Sequence, residues 1–282
     1  FAPMISRELA VVFLALTAAF GWGTGDFAGG LASCRATPLW VILLSQMIGS
    51  VLLIIGGLVT GEAFPAQSTV LISLFIGLSG TFGLLFLFRG LAEHPMSIVA
   101  PVSAVVTGIL PILASLFFEG LPSGWQLLGF AFALVAIWLV SGGGAGKIQL
   151  AMLQAPILAG IGFSISFLLV DQIPSGSLFW PYLYARGVSM SLLAIIIWRT
   201  RPTRPNRDIW HLLLMVGTLD LAGNIFFLLA TQSGRLDVAT VLGGLYPAFT
   251  VLLARIVLLE KLDRPQWVGV GLALTAVLLI AL

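Results

Sequence analysis

The sequence predicts an all-α integral membrane protein, with ten transmembrane helices built as two inverted five-helix repeats. Three observations carry this reading. The chain is 59% hydrophobic and only 9% charged, with a mean hydropathy of +1.12, whereas a water-facing domain carries roughly 25% charge. It divides into apolar runs of membrane-spanning length. Its second half also repeats its first. Residues 18–25 lie over 159–166 without a gap, so that Trp22 meets Phe163, and Glu119 meets Glu260 at the same offset of 141, half of the 282 residues. Gly77, Gly83 and Phe86 match Gly217, Gly223 and Phe226 at an offset of 140. An apolar chain of two related halves is the signature of many secondary transporters.

The spans follow in order. The first, 9–32, is long enough to cross and continues the repeat, so it is not a cleavable leader. Its Gly21, Gly25 and Gly29 stand four residues apart, a spacing that lets helices pack closely. Spans two and three are 38–60 and 69–92. The fourth, 96–118, contains Pro101, Gly108 and Pro111, and the fifth is 123–141. The polar, glycine-rich stretch 142–146 then joins an N-terminal repeat, 1–141, to a C-terminal one, 147–282. The second repeat supplies 151–171, 177–198, 210–233, 237–259 and 265–282, with Gly243, Gly244 and Pro247 in its fourth span. Continuous apolar runs in place of period-two alternation exclude a β-barrel.

Five crossings per half make the second copy begin on the opposite side of the membrane, which inverts it. Arg35, Arg89, Lys147, Arg199, Arg201, Arg204, Arg207, Lys261 and Arg264 fall after odd-numbered spans, and only Arg7 and Arg235 lie on the other face. The positive-inside rule then places both termini outside. Trp40, Trp125, Trp198, Trp210 and Trp267 fall at span ends, where interfacial tryptophans belong.

Several stretches resemble the EamA type of the drug/metabolite transporter superfamily. They are Phe20-Gly21-Trp22-Gly23 with Gly25-Asp26-Phe27, Phe88-Arg89-Gly90-Leu91-Ala92 leading to Val99-Ala100-Pro101-Val102, Leu245-Tyr246-Pro247-Ala248-Phe249-Thr250, and Glu260-Lys261-Leu262 before Gln266 and Gly269. The resemblance covers essentially the whole chain. It implies a multi-pass secondary transporter of the bacterial inner membrane that exports amino acids, aromatic ones among them, or related small metabolites by alternating access. Export of drugs or other metabolites is the alternative within that fold, and a channel is the remaining one. Smaller relatives must dimerise to obtain both copies, whereas one chain holds them here, so a monomer is expected.

Candidate site residues are polar groups at mid-membrane depth. Arg186 lies about 18 Å from the end of the seventh span and Asp220 about 15 Å into the eighth, which places them level. A lone charge at that depth costs at least about 3 kcal/mol, so they either line a wet cavity, meeting the carboxylate and ammonium of an amino acid, or form a structural ion pair. Asn224 follows Asp220 by one turn, and Gln46 holds the repeat position of Arg186; amides inside a span either bridge helices or face a cavity. Asp26, about 9 Å from its span end, reads as a solvated vestibule residue or as a proton relay. Trp22, Phe82, Phe86, Phe163, Trp180, Tyr182, Tyr184 and Tyr246 are candidate walls of a pocket, with Trp22 and Tyr246 foremost. Substrate-binding candidates are thus Trp22, Gln46, Phe82, Arg186, Asp220, Asn224 and Tyr246. Bends at Pro101, Gly108 and Pro111, and at Gly243, Gly244 and Pro247, would serve as gating hinges or as static kinks.

The remaining composition argues against other classes. One cysteine, Cys34, and two separated histidines, His94 and His211, leave neither a metal cluster nor a nucleophile–base pair at mid-depth, so neither catalysis nor a cofactor is expected. Expected partners are a small-molecule substrate and the lipid bilayer, not nucleic acid. No ring of charges suggests an ion-conducting pore.

Overall fold

The computed structural model of the chain describes residues 2–115, 123–140, 151–170, 172–174, 176–232 and 242–280. Its α-helices, among these residues, are α1 Ala2–Ser33, α2 Pro38–Thr60, α3 Gln67–Glu93, α4 Met96–Ser115, α5 Gly124–Val140, α6 Ala151–Val170, α7 Phe179–Thr200, α8 Trp210–Gln232, α9 Tyr246–Val257 and α10 Arg264–Ile280. No strand occurs among the described residues. Helices α1, α2, α3, α6, α7 and α8 contain stretches long and apolar enough to cross a membrane, and α4, α5, α9 and α10 hold shorter apolar stretches. The side chains turned outward are themselves apolar, Phe13, Val59, Phe75 and Ile195 among them, as lipid contact demands.

The expected span 237–259 is not one continuous helix. Gly244 and Leu245 form a turn, and α9 starts at Tyr246 with Pro247 in its first turn. Proline has no N–H to donate and its fixed φ suits a helix start, so with two glycines ahead of it a new helix begins there. The Leu245 N–H donates to Leu242 O at 3.2 Å and Ala248 N–H to Leu245 O at 2.9 Å, which closes the turn. Glu119, the 142–146 linker and residues 237–241 lie outside the described residues.

Helix α1 runs through the centre. Its Ala15, Ala18, Ala19, Ala28 and Ala32 are fully buried, and it packs on α8, α9, α3 and α2. Between helices in lipid there is no hydrophobic driving force, so cohesion comes from close backbone approach at small residues. A Cβ at Gly21 would strike the Leu219 carbonyl and Gly223 backbone of α8, and a Cβ at Gly162 would strike Gly83 and the Ser79 carbonyl of α3. These are the same contact, made once by each repeat. The correspondence extends to whole helices. Moving five helices along carries the α1–α8 pair into α6–α3, α1–α9 into α6–α4, and α2–α8 into α7–α3. Even two loop bonds obey it: Trp40 Nε1 donates to Pro202 O at 3.3 Å, and Trp180 Nε1 to Glu62 O at 2.8 Å.

Two glutamates tie loops of one repeat to helix N-termini of the other. The Glu62 carboxylate accepts the amides of Leu178, Phe179 and Trp180 at 3.0, 2.9 and 3.3 Å at the head of α7. Glu260 accepts those of Met96 and Ser97 at 2.8 and 3.1 Å, and the Ser97 hydroxyl at 2.6 Å, at the head of α4. A carboxylate there satisfies orphan N–H groups and complements the helix dipole. Glu260→Ala is therefore expected to destabilise the fold by about 1–2 kcal/mol, read as a lower thermal midpoint in detergent. An unchanged midpoint would mean that α4 is held without its cap.

Candidate functional site

The two charges expected at mid-depth meet. Arg186 Nη2 on α7 donates to Asp220 Oδ2 on α8 at 2.7 Å. The partners differ in access, because the Arg186 side chain keeps 9% of its surface exposed and that of Asp220 keeps 37%. Arg186 has a second nitrogen, Nη1, that is buried without a hydrogen-bond partner. A Cβ at Gly49 of α2 would collide with the guanidinium, so the bare backbone there makes room for the arginine. Gly49 follows Gln46 by one turn, on the same side of α2.

Around the pair lies a cavity of about 20 Å³, whose walls include Gly25, Asp26, Ser45, Gln46, Arg186 and Asp220. That space admits about one water. Gln46 Oε1 is another buried atom without a partner. Arg186 and Gln46, each with one buried unpaired atom, thus stand among the walls of one small polar chamber flanked by two carboxylates. Tyr182, one turn before Arg186, stands within electrostatic reach of both members of the pair, and Asp26 within reach of Asp220.

An aromatic cluster adjoins it. Trp22 Nε1 donates to Asn224 Oδ1 at 3.3 Å. Its ring stands 5.2 Å from that of Phe227, 6.3 Å from Tyr246 and 6.5 Å from Phe167. Gly223 lies under the indole, where a Cβ would touch it. Tyr246 is within electrostatic reach of Asp26, which connects cluster and chamber. Helix α9 reaches this point because Gly23 of α1 lets the Tyr246 backbone approach, and the Thr250 hydroxyl donates to Gly23 O at 2.9 Å.

The structure thus brings Gln46, Arg186 and Asp220 to one chamber, and Trp22, Asn224 and Tyr246 to the cluster beside it. It does not bring Phe82, which is exposed and paired with Phe86 at 4.7 Å. Phe163 packs on Gly83, the repeat counterpart of Trp22 on Gly223. Trp180 lies away from the site, stacked on Phe64 at 4.6 Å beside the Glu62 cap. Among the hinge candidates, Pro101 is buried within α4, Gly108 is half-buried, Pro111 belongs to α4 by its backbone, and Gly243 packs near Phe227. Gly49, Ser45 and Phe227 were not foreseen. Gly49 carried a usable signal, a mid-span glycine one turn from a buried amide. Among the described residues no group of histidine, cysteine or carboxylate side chains is placed to hold a metal.

Comparison with known proteins adds three findings. The family model described as EamA-like transporter family matches residues 9–142 and again residues 146–282. No curated protein matches the chain. Of the solved structures, 15 chains match. One of them, described only as "Crystal structure of protein", is similar with a TM-score of 0.67 over 96% of this chain and 96% of that one, at 16% identity, a likeness of fold alone.

Proposed function

The chain belongs to the EamA-like transporter family, a multi-pass membrane transporter of the drug/metabolite type, and from that premise we propose that it exports amino acids by alternating access through a central cavity between its two repeats. The observation that carries the substrate class is the Arg186–Asp220 pair beside an unpaired Arg186 Nη1 and an unpaired Gln46 Oε1. A zwitterion replaces the pair with two equivalent ones. Its carboxylate takes the guanidinium fork, as planar bidentate recognition favours, and its ammonium takes Asp220. In the conformation described here the chamber holds about one water, so it corresponds to a closed state from which the helices part to admit cargo. The ring cluster of Trp22, Phe227 and Tyr246 favours an aromatic side chain. The same rings are the specific support for a second reading, export of a planar apolar drug.

The ten-span inverted topology is supported by the exchange of helix pairs between repeats and by the duplicated Gly21 and Gly162 contacts. Both copies being in one chain, the transporter works as a monomer, in the bacterial inner membrane with its basic loops inside. Alternating access then amounts to the same motion performed in turn by each half. The bending points are Pro101, Gly108 and Pro111 in α4, and Gly243 and Gly244 ahead of Pro247 at the start of α9. Pro247→Ala is expected to let α9 extend backward through the turn and to slow exchange between inward-open and outward-open states, measured by labelling accessibility from each side. Unchanged exchange would make the turn a static feature.

Flux in proteoliposomes tests the function. Saturable uptake of an amino acid, competed by other zwitterions, is the expected result. Linear, ion-selective conductance would make the protein a channel, and saturable uptake of planar apolar drugs without competition by amino acids would favour the second reading.

A further inference from the structure

A second polar site lies at the basic end of the molecule, remote from the charge pair. An open cleft of about 410 Å³ separates the α1–α2 turn from the α7–α8 loop, and Ser33, Cys34, Arg35, Thr37, Pro38 and Arg204 are among its walls. Arg35 and Arg204 are exposed and have no carboxylate partner among the described residues. Ser33 keeps only 9% of its surface, and its hydroxyl is buried without a hydrogen-bond partner. Thr37 stands at the N-cap of α2 without capping it, and its hydroxyl too is buried and unpartnered.

Arg35, Arg204, Ser33 and Thr37 each lack an acceptor among the described residues. Two guanidiniums can only donate, the head of the 23-residue α2 carries the positive end of its dipole, and the two buried hydroxyls lack any partner. An anionic oxygen acceptor fits the two guanidiniums and the helix head together, and a lipid phosphodiester supplies one, with two unesterified oxygens sharing its charge. Depth identifies the source. Trp198 and Trp210, at the end of α7 and the start of α8, are exposed at 72% and 45% and mark headgroup level, where tryptophans of spanning helices collect. The inside placement of the basic loops proposed above, on which this step rests, puts this end at the leaflet rich in anionic lipid. We infer that the cleft binds the phosphate group of an anionic phospholipid, and that this headgroup bridges the two repeats beside the Trp40–Pro202 bond. The site is independent of what the central chamber carries.

Cys34 supplies a direct readout, being exposed in the cleft and the sole cysteine of the chain. The full chain, delipidated in a neutral detergent, is titrated with phosphatidylglycerol, with phosphatidylcholine and with inorganic phosphate while Cys34 alkylation and bound lipid by native mass spectrometry are followed. Phosphatidylglycerol is expected to slow alkylation saturably at one bound lipid, and phosphatidylcholine to have no effect. In Arg35→Gln/Arg204→Gln the affinity is expected to fall about 10-fold or more, and Arg199→Gln, in the last turn of α7 outside the cleft, is expected to behave as wild type. The arginines are exposed, so the fold should tolerate their loss, and Arg204→Gln alone gives the same reading if the double variant fails to fold. Unchanged affinity in these variants overturns the site. Protection by inorganic phosphate but not by lipid overturns the lipid assignment.

Discussion

Arg186→Leu is expected to abolish carriage of a zwitterionic substrate and to destabilise the protein by about 3–5 kcal/mol, because it leaves a carboxylate inside the bundle without its counter-charge. Asp220 is the more exposed partner at 37%, so some of that loss is relieved by water entering the chamber. Adding Asp220→Leu removes the orphan charge and is expected to restore most of the stability, since a buried pair replaced by apolar groups of similar volume is often neutral. Transport should stay absent in the double variant. Thermal midpoints and proteoliposome flux on the four proteins of the cycle separate the two roles. If the pair were only a lock between α7 and α8, the restored fold would carry substrate again.

The other large effect is expected at the duplicated helix crossings. Gly21→Val and Gly162→Val each force a side chain into the backbone of the facing helix, at Leu219 and Gly223 in one case and at Ser79 and Gly83 in the other. Backbone cannot step aside as a flexible side chain can, so each change should cost at least the about 1–3 kcal/mol typical of overpacking. Because the two contacts are repeat equivalents, their losses should be alike in size, visible as aggregation at lower temperature by size-exclusion chromatography after heating. Gly187→Ala is the control. Nothing lies within 4 Å of a Cβ at Gly187, and replacing a mid-helix glycine by alanine gains roughly 0.5–1 kcal/mol. A midpoint for Gly162→Val equal to that of Gly187→Ala would contradict the packing described here.

Much of the architecture is legible in the sequence, for a physical reason. Bilayer thickness fixes the length of each apolar run, so hydropathy located most helix ends to within a few residues. The limits of α9 were less legible, because a run of Gly243, Gly244 and Pro247 is apolar enough to be counted as span while its backbone turns. The relative height of Arg186 and Asp220 was legible too, since a fixed rise per residue makes them level, and they meet at 2.7 Å. Facing was not. A helix that is apolar all round has no stripe to say which side meets the core, which is why Phe82 was counted with Trp22 although it turns outward. Contacts that join distant segments left no local mark either. Glu62 lies in an unremarkable loop, yet it caps α7 more than a hundred positions away. The space that Gly49 leaves for the Arg186 guanidinium could be read only once α2 and α7 were seen side by side.

The central claim is that the Arg186–Asp220 pair opens to receive an ammonium and a carboxylate. Binding of a zwitterionic amino acid and of its N-acetyl derivative to the wild type and to Asp220→Asn, by titration calorimetry on the purified protein, tests it most directly. Acetylation removes the ammonium. It is expected to weaken binding to the wild type by about 10-fold or more, the scale of a buried charge-assisted hydrogen bond, and to make no difference in Asp220→Asn. If acetylation weakens binding equally in both proteins, Asp220 does not hold the ammonium and the pair is structural.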